Sequence, residues 1–291
     1  MRLAVLLLAL LAACTGSDPA LMPPPDGALR LATQNIHYIS LRDATGAWSR
    51  GDWEDRKTSV DLAFKALDAD IVAFQEMESF GQGDTADINL ARDWLLERNP
   101  GFAAGANGDP ATFPNTQPIF YRTDRLEMLD QGWFFFSDTP DVIYSRTFDG
   151  SWPAFASWAQ FRDRDSDETL TVYNVHFEYR SGSNRLKSAA LTAQRMAPRL
   201  AAGEAVVLAG DLNALAGRPT LWIFEDAGLT FVDVPGSTYH LNRGIDLFGA
   251  IDHVATAGPV LVTGAPQVQR RQFDGRYPSD HYAVTVDLVL P

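Results

Sequence analysis

The chain has 291 residues and is acidic, with 37 Asp and Glu against 24 Lys and Arg and a formal net charge of −13. Tight, sequence-independent capture of nucleic acid needs a basic face, so this balance argues against it, although a bound divalent cation can supply positive charge that residue counts miss. The single cysteine excludes an intramolecular disulfide, and the length suits one large β-rich domain.

The chain opens with Arg2 and an apolar stretch from Leu3 to Leu11, too short to span a membrane as a mature helix. It runs into Leu11-Ala12-Ala13-Cys14, the layout of a secretory signal with small residues before the cut. Leu-Ala-Ala-Cys also resembles the bacterial lipobox, in which the cysteine becomes the lipidated first residue. Residues 1–13 are therefore expected to be a lipoprotein signal peptide, with Cys14 as the membrane anchor. Thr15, standing where an Asp would favour the inner membrane, points to a periplasm-facing or cell-surface protein of the outer membrane. Membrane fractionation of a Cys14→Ser variant separates this reading from an ordinary signal peptide. Residues 14–27, rich in Ser, Asp and Pro and including Pro23-Pro24-Pro25, read as an extended tether.

From Ala28 to Pro291 the pattern is one domain without an internal linker or repeat. Leu29–Asn35 reads as a strand. Trp53–Leu67 reads as a helix, with Val60, Ala63, Phe64 and Leu67 at i, i+3, i+4 and i+7. Asp70–Gln75 is a strand and Ile88–Glu97 a shorter helix. Ile119–Tyr121 and Leu126–Phe136 read as a hairpin through Arg122-Thr123-Asp124. Phe155–Phe161 and Thr169–Phe177 are strands, Leu186–Ala197 is a helix ending by Pro198, and Ala205–Leu208, Ala250–Ala255 and Tyr282–Leu288 close the chain. Many strands with few helices imply two packed sheets with helices outside.

Five apolar runs end on small polar clusters: Asn35-Ile36-His37, Gln75-Glu76, Asn174-Val175-His176, Asp211-Leu212-Asn213 and, after a turn, Ser279-Asp280-His281. At strand ends these would converge on one rim. Carboxylates there can hold a hard cation, and imidazoles can trade protons or face a phosphate. Each cluster alone reads equally well as a turn, since Gly, Asp and Asn are common turn formers. Their joint order is the informative feature.

The blocks Ala32-Thr-Gln-Asn-Ile36, Asp70-Ile-Val-Ala-Phe-Gln-Glu76, Pro118-Ile-Phe-Tyr-Arg122, Tyr173-Asn-Val-His176, Gly210-Asp-Leu-Asn-Ala214, Ile251-Asp-His-Val254 and Ser279-Asp-His-Tyr-Ala-Val284 follow one another in a familiar order. They resemble the endonuclease/exonuclease/phosphatase superfamily over nearly all of the mature chain. The resemblance implies a four-layer α/β sandwich of the DNase I type, two mixed β-sheets packed face to face with helices outside. It implies a monomeric Mg2+-dependent phosphoesterase, with Mn2+ as a substitute, cleaving phosphodiester or phosphomonoester bonds by in-line attack of water.

Residue by residue, the resemblance makes Glu76 the main metal ligand, with Asn35 and Asp280 beside it. Asp211 orients or deprotonates the water, and Asn213 binds phosphate or the attacking oxygen. His176 and His281 stabilise phosphate charge, and Asp252 orients His281. Either Asp211 or His281 is the base. Asn174 is expected to support His176. Asn115 or Gln117 would replace the Glu that orients the first histidine in DNase I-like nucleases. His253 should face away from Asp252, and His37 has no assigned role.

Substrate choice would rest on loops, with Arg146, Arg180, Arg185 and Arg243 as candidate phosphate contacts. Most of the aromatic group Trp133, Phe134, Phe135, Phe136, Trp152, Phe155 and Trp158 reads as core. A nuclease that scavenges DNA or RNA and a catalytically retired binding lipoprotein are the alternative readings.

Overall fold

The computed structural model describes residues 20–81, 88–150 and 152–291. The signal segment and the Cys14 anchor lie outside the described residues. Among the described residues no helix is long and apolar enough to cross a membrane.

The first half of the chain forms β1 (Leu29–Asn35), β2 (Ile39–Ser40), α1 (Arg50–Leu67), β3 (Ile71–Gln75), β4 (Ser79–Phe80), α2 (Leu90–Arg98), β5 (Phe102–Gly105), β6 (Ile119–Arg122) and β7 (Leu126–Phe135). The second half adds β8 (Phe155–Asp163), β9 (Thr169–His176), α3 (Gly182–Ala201), β10 (Val206–Asp211), α4 (Pro219–Asp226), β11 (Thr230–Phe231), β12 (Asp252–Ala257), β13 (Leu261–Val268) and β14 (Val284–Val289). Two six-stranded sheets result, ordered β13-β14-β1-β3-β6-β5 and β11-β12-β10-β9-β8-β7. Each is mixed: β1 runs parallel to β3 and β9 to β10, while the flanking pairs are antiparallel.

The sheets meet face to face through Leu31, Ala73, Ile119, Phe161, Val172, Val207, Val254 and Val286. Helices α1 and α2 cover the outside of the first sheet through Trp53, Val60, Phe64 and Leu95. Helix α3 covers the second through Ala189 and Met196, and α4 through Leu221 and Phe224. This is the four-layer sandwich the residues implied.

Local signals set the helix boundaries. Ser49 caps α1 by accepting from Asp52 N, Asn89 caps α2 by accepting from Arg92 N, and Ser181 caps α3 by accepting from Asn184 N. Helix α3 therefore starts before Leu186, and it continues past Pro198 to Ala201. A proline in the last turn removes one hydrogen bond where few remain to be lost. Helix α4 was not foreseen; it is short, starts on Pro219 and carries the continuous apolar run Leu-Trp-Ile-Phe.

The expected hairpin of Ile119–Tyr121 with Leu126–Phe136 does not form. β6 pairs with β3 and β5 in the first sheet, whereas β7 pairs with β8 at the edge of the second. The short link from Thr123 to Arg125 crosses between sheets: β6 adds to the buried strand β3, and the ten-residue β7 pairs along the nine-residue β8.

Two buried polar devices lock the sandwich. Arg30, 1% exposed, donates to Asp287 Oδ1 and Oδ2 at 2.7 and 2.9 Å and to the Leu67 and Met22 carbonyls. It thereby fastens the end of the tether segment to the domain. Between the sheets, Asn174 accepts from Gln75 Nε2 at 2.7 Å and donates to the Phe74 carbonyl at 2.7 Å.

Candidate active site

The parallel strands β1, β3, β9 and β10 end on one rim, and their register delivers the polar clusters together. Asn35 pairs with Gln75, the residue before Glu76, in the first sheet. In the second, Asp211 pairs with His176 on one side and Asp252 on the other. The backbone before Asp211 approaches β9 so closely that a Cβ on Gly210 would sit 1.9 Å from the Val175 carbonyl oxygen, so only glycine fits there. The chain's far end is drawn in by Ser279, whose hydroxyl donates to the Asn35 carbonyl at 2.7 Å.

Asn35 donates from Nδ2 to Glu76 Oε1 at 3.0 Å and lies 3.4 Å from Asp211 Oδ2, while its Oδ1 accepts from His37 N. Glu76 also accepts from Tyr38 N at 3.3 Å. The Asp211 Oδ2 atom is 3.6 Å from His176 Nε2 and 3.8 Å from His281 Nε2. His176 Nε2 is also 3.8 Å from Glu76 Oε1. Behind His281, Nδ1 sits 2.8 Å from Asp252 Oδ2, which is fully buried. Asp280 Oδ1 lies 3.9 Å from His37 Nδ1. Thus Asn35, Glu76, His176, Asp252 and His281 gather around Asp211, and Asp280 joins the same rim beside His37.

Electrostatics assign these groups different states. Burial alone would lower the His281 pKa, but Asp252, Asp211 and Asp280 overcome it and push it up to about 10, so the ring is cationic at neutral pH. Burial, with Asp252 adding, pushes the Asp211 carboxyl up to about 6, against the pull of His281 and His176. Three backbone strains flank the cleft: His37, Glu76 and Asn213 all hold positive φ, at 67°, 53° and 47°. Such left-handed conformations of residues with side chains cluster where the surroundings over-determine them, often at functional sites.

The other expected site residues have different duties. Asn213 donates from Nδ2 to the Phe177 carbonyl, and its backbone N–H donates to Asp211 Oδ1, both at 2.8 Å. It therefore holds the loop beside Asp211. Asn174 stitches the sheets and shares no hydrogen bond with His176. Gln117 donates to the Phe155 carbonyl at 2.9 Å, so it secures β8 rather than orienting His176. Asn115 is buried, its carbonyl 3.5 Å from Asn89 Nδ2. Arg185 donates to the Glu178 and Tyr179 carbonyls, leaving Arg146, Arg180 and Arg243 as the exposed candidates among those arginines. His253 turns away as expected, its Nε2 2.8 Å from the Ala214 carbonyl oxygen.

Sequence reasoning missed Arg56. It is buried and donates to the Ile36, His37 and Pro278 carbonyls, tying the Asn35 and Asp280 segments together. Its position on the apolar face of α1, three residues after Trp53, was the available signal. Glu78 and Tyr239 were missed too; the Tyr239 ring lies 5.0 Å from that of His281.

His37 and His240 are buried on the rim, and burial lowers both to about 4. Asp280 opposes the shift at His37, and His281 reinforces it at both. An unfolded chain protonates these rings near their ordinary value, so between pH 6.5 and 4 it binds more protons than the native state. Stability is then fully present above 6.5 and falls as the pH drops toward 4, by up to ~3 kcal/mol per ring. His240 stacks on Tyr282 at 3.9 Å, and His240→Phe keeps that ring contact without the titration. Melting curves between pH 7 and 4 should show a shallower loss for His240→Phe than for the wild type. Parallel curves would discard this account.

The donor set on this rim suits a divalent cation. Glu76 and Asp280 offer oxygen and no thiolate, which suits a hard ion, and Asn35 would add its Oδ1 with the amide turned over. Negative charge exceeds what the protein neutralises: burial, with Glu76 adding, pushes the Glu78 carboxyl up to about 7. Asp211, Asp252 and His281 also lie close enough to share an ion, their ligand atoms within 4.8 Å. His281 bonds Asp252 through Nδ1 and leaves Nε2, a softer donor than carboxylate oxygen, so a hard ion is better served by the oxygens at Glu76.

A DNase I-like four-layer sandwich carrying an Asp–His pair and an acidic pocket on one rim defines a class of phosphoester hydrolases. The Endonuclease/Exonuclease/phosphatase family model matches residues 32–281, and the chain belongs to that family, whose members are hydrolases of phosphoesters. Among solved structures, a family protein from Bacteroides thetaiotaomicron aligns with TM-score 0.76 and 24% identity over 92% of this chain and 99% of that one. The mannosyl-6-phosphatase of the same organism aligns with TM-score 0.74 and 24% identity over 90% and 99%. Danio rerio TDP2 with a single-strand DNA product gives TM-score 0.62 and 16% identity over 91% and 100%. A comparison with curated proteins finds no match.

Proposed function

We propose that this chain is a Mg2+-dependent phosphoesterase, with Mn2+ as a substitute, acting on a small phosphomonoester in preference to long DNA. The observation that carries the reading is Asp211 Oδ2 set between His176 and His281 at 3.6 and 3.8 Å, facing the Asn35–Glu76 pair. Asn35, Glu76 and Asp280 would hold the cation, which would supply charge neutralisation at the phosphate oxygens.

The chain's own residues then divide the work. Asp252 on Nδ1 favours the cationic form of His281, and we assign Asp211 as the base that takes a proton from water. Water oxygen bonds to phosphorus as the P–O bond to the ester oxygen breaks in line, and the departing oxygen takes a proton from solvent. His176 and His281 donate to the phosphate oxygens that gain charge, the kind of preorganised stabilisation that lowers such barriers. Intact groups at every one of these positions argue against a retired binding protein. The anchor at Cys14 adds attachment to the outer membrane, facing the periplasm, to this reading.

The net charge of −13 favours a small substrate, because affinity for duplex DNA comes mostly from displaced counterions. The similarity to a mannosyl-6-phosphatase supports the same choice, and the likeness to TDP2 keeps the nuclease reading as the comparison. The test is kcat/KM for plasmid DNA against a panel of sugar phosphates at one Mg2+ and salt concentration. The best sugar phosphate should win. A tenfold advantage for DNA, about 1.4 kcal/mol in transition-state binding, would replace this reading with the scavenging nuclease.

A further inference from the structure

Beside Glu76 the rim carries an aromatic cluster that neither core packing nor the reaction uses. Tyr38 and Trp48 stack at 5.6 Å with an 18° tilt, and Phe80 meets Tyr38 at 5.2 Å. Trp48 is 40% exposed and Phe80 37%. Trp48 holds φ at 62°, a conformation disfavoured for a large side chain, directly before the Ser49 cap of α1. Its ring contacts are His37 and Tyr38, both of the rim. Exposed rings held in a strained backbone against a polar cleft are a surface built for something to stack on.

We propose that Tyr38, Trp48 and Phe80 form the subsite for the alcohol half of the substrate, and that this half is a sugar ring. The inference rests on the phosphoesterase reading and names its substrate class. The Tyr38 backbone N–H is bonded to Glu76, so a ring on this platform carries its phosphate toward the Asn35–Glu76 pair. The apolar C–H face of a sugar suits stacked aromatic rings, and its hydroxyls suit carboxylate acceptors.

Those acceptors are present. Glu78 has no hydrogen bond from its side chain among the described residues. Burial, then Glu76, Glu78, Asp280 and Tyr179, raise the Tyr38 pKa, so acidic groups stand around that hydroxyl. A nucleic acid strand would bring flanking phosphates into this negative wall. A neutral polyhydroxyl ring with one phosphate does not.

The test compares hexose 6-phosphate with glycerol 3-phosphate, which has the phosphate but no ring, under Mg2+. Trp48→Ala and Phe80→Ala should each lower the hexose-over-glycerol ratio of kcat/KM by ~10-fold, mainly through KM. Trp48→Phe should keep the ratio within ~3-fold of wild type, since a ring remains to stack on. Melting curves confirm that each variant is folded. Equal losses on both substrates would make the rings structural and overturn the subsite. A wild-type preference for a nucleoside monophosphate over every hexose phosphate would put a base there instead and overturn the sugar. Should the wild type turn over no phosphoester, the phosphoesterase reading falls, and calorimetric binding of hexose 6-phosphate decides the subsite separately: weaker binding by Trp48→Ala upholds it, and identical Kd values end it.

Discussion

Replacing Asp211 by Asn is expected to cut kcat by ~10²–10⁴-fold, the range a positioned general base supplies, while the protein melts no lower than the wild type. Both halves follow from the burial of Asp211, which is 1% exposed. Its carboxyl is pushed up to about 6 by burial and Asp252, so the charged form is held against its preference. A folded-state pKa above the unfolded value means that ionisation at neutral pH costs stability. The neutral amide has the same shape and can still accept from Asn213 N, yet it cannot take a proton from water. kcat at saturating substrate and the Tm in EDTA are the two measurements. Wild-type turnover would remove Asp211 from the chemistry, and a sharply lower Tm would make it a structural residue. His281→Ala is the poorer probe, because it leaves Asp252 buried without its partner, a defect of ~3–5 kcal/mol that mixes folding with catalysis.

The rim was legible in the sequence because a buried strand ends where its apolar run meets a residue that needs water, a charge or a partner. Asn35, Glu76, His176 and Asp211 stand at such ends, and the parallel pairings carry all four to one edge. The four-layer stacking was legible from strand number and helix periodicity. The pairing of β6 and β7 was not, since a short polar link reads the same whether the chain turns back on itself or crosses between sheets. Nor was the duty of Asn174 legible. It shares a strand face with His176, two residues on, yet the opposite sheet supplies nearer partners in Gln75 and Phe74. The strained residues His37, Trp48 and Glu76 were hidden for a different reason. Left-handed backbone announces itself in sequence through Gly or Asn, and these residues are held there by tertiary contacts.

Removing divalent cations with excess EDTA is expected to abolish phosphoesterase activity, and added Mg2+ or Mn2+ to restore it. The cationic groups nearest the carboxylates at the Glu76 end of the cleft have other partners. The cationic His281 is spent on Asp252 and Asp211, and Arg56 on backbone carbonyls and Asp52. A dianionic phosphate entering the cleft without a metal would meet Glu76 and Asp280, an arrangement that repels it until a cation intervenes. Glu76→Gln should therefore cost at least ~10²-fold in kcat/KM and raise the Mg2+ concentration needed for half-activity. Asn35 Nδ2 and Tyr38 N fix the Glu76 side chain through different oxygens, Oε1 and Oε2, and a glutamine keeps an oxygen for one of them. The variant should keep its fold, at a cost of about 1 kcal/mol for the one lost hydrogen bond. Activity that survives chelation in full would show that the cleft works through protein charges alone, and the assignment of Asn35, Glu76 and Asp280 to a metal would have to be withdrawn.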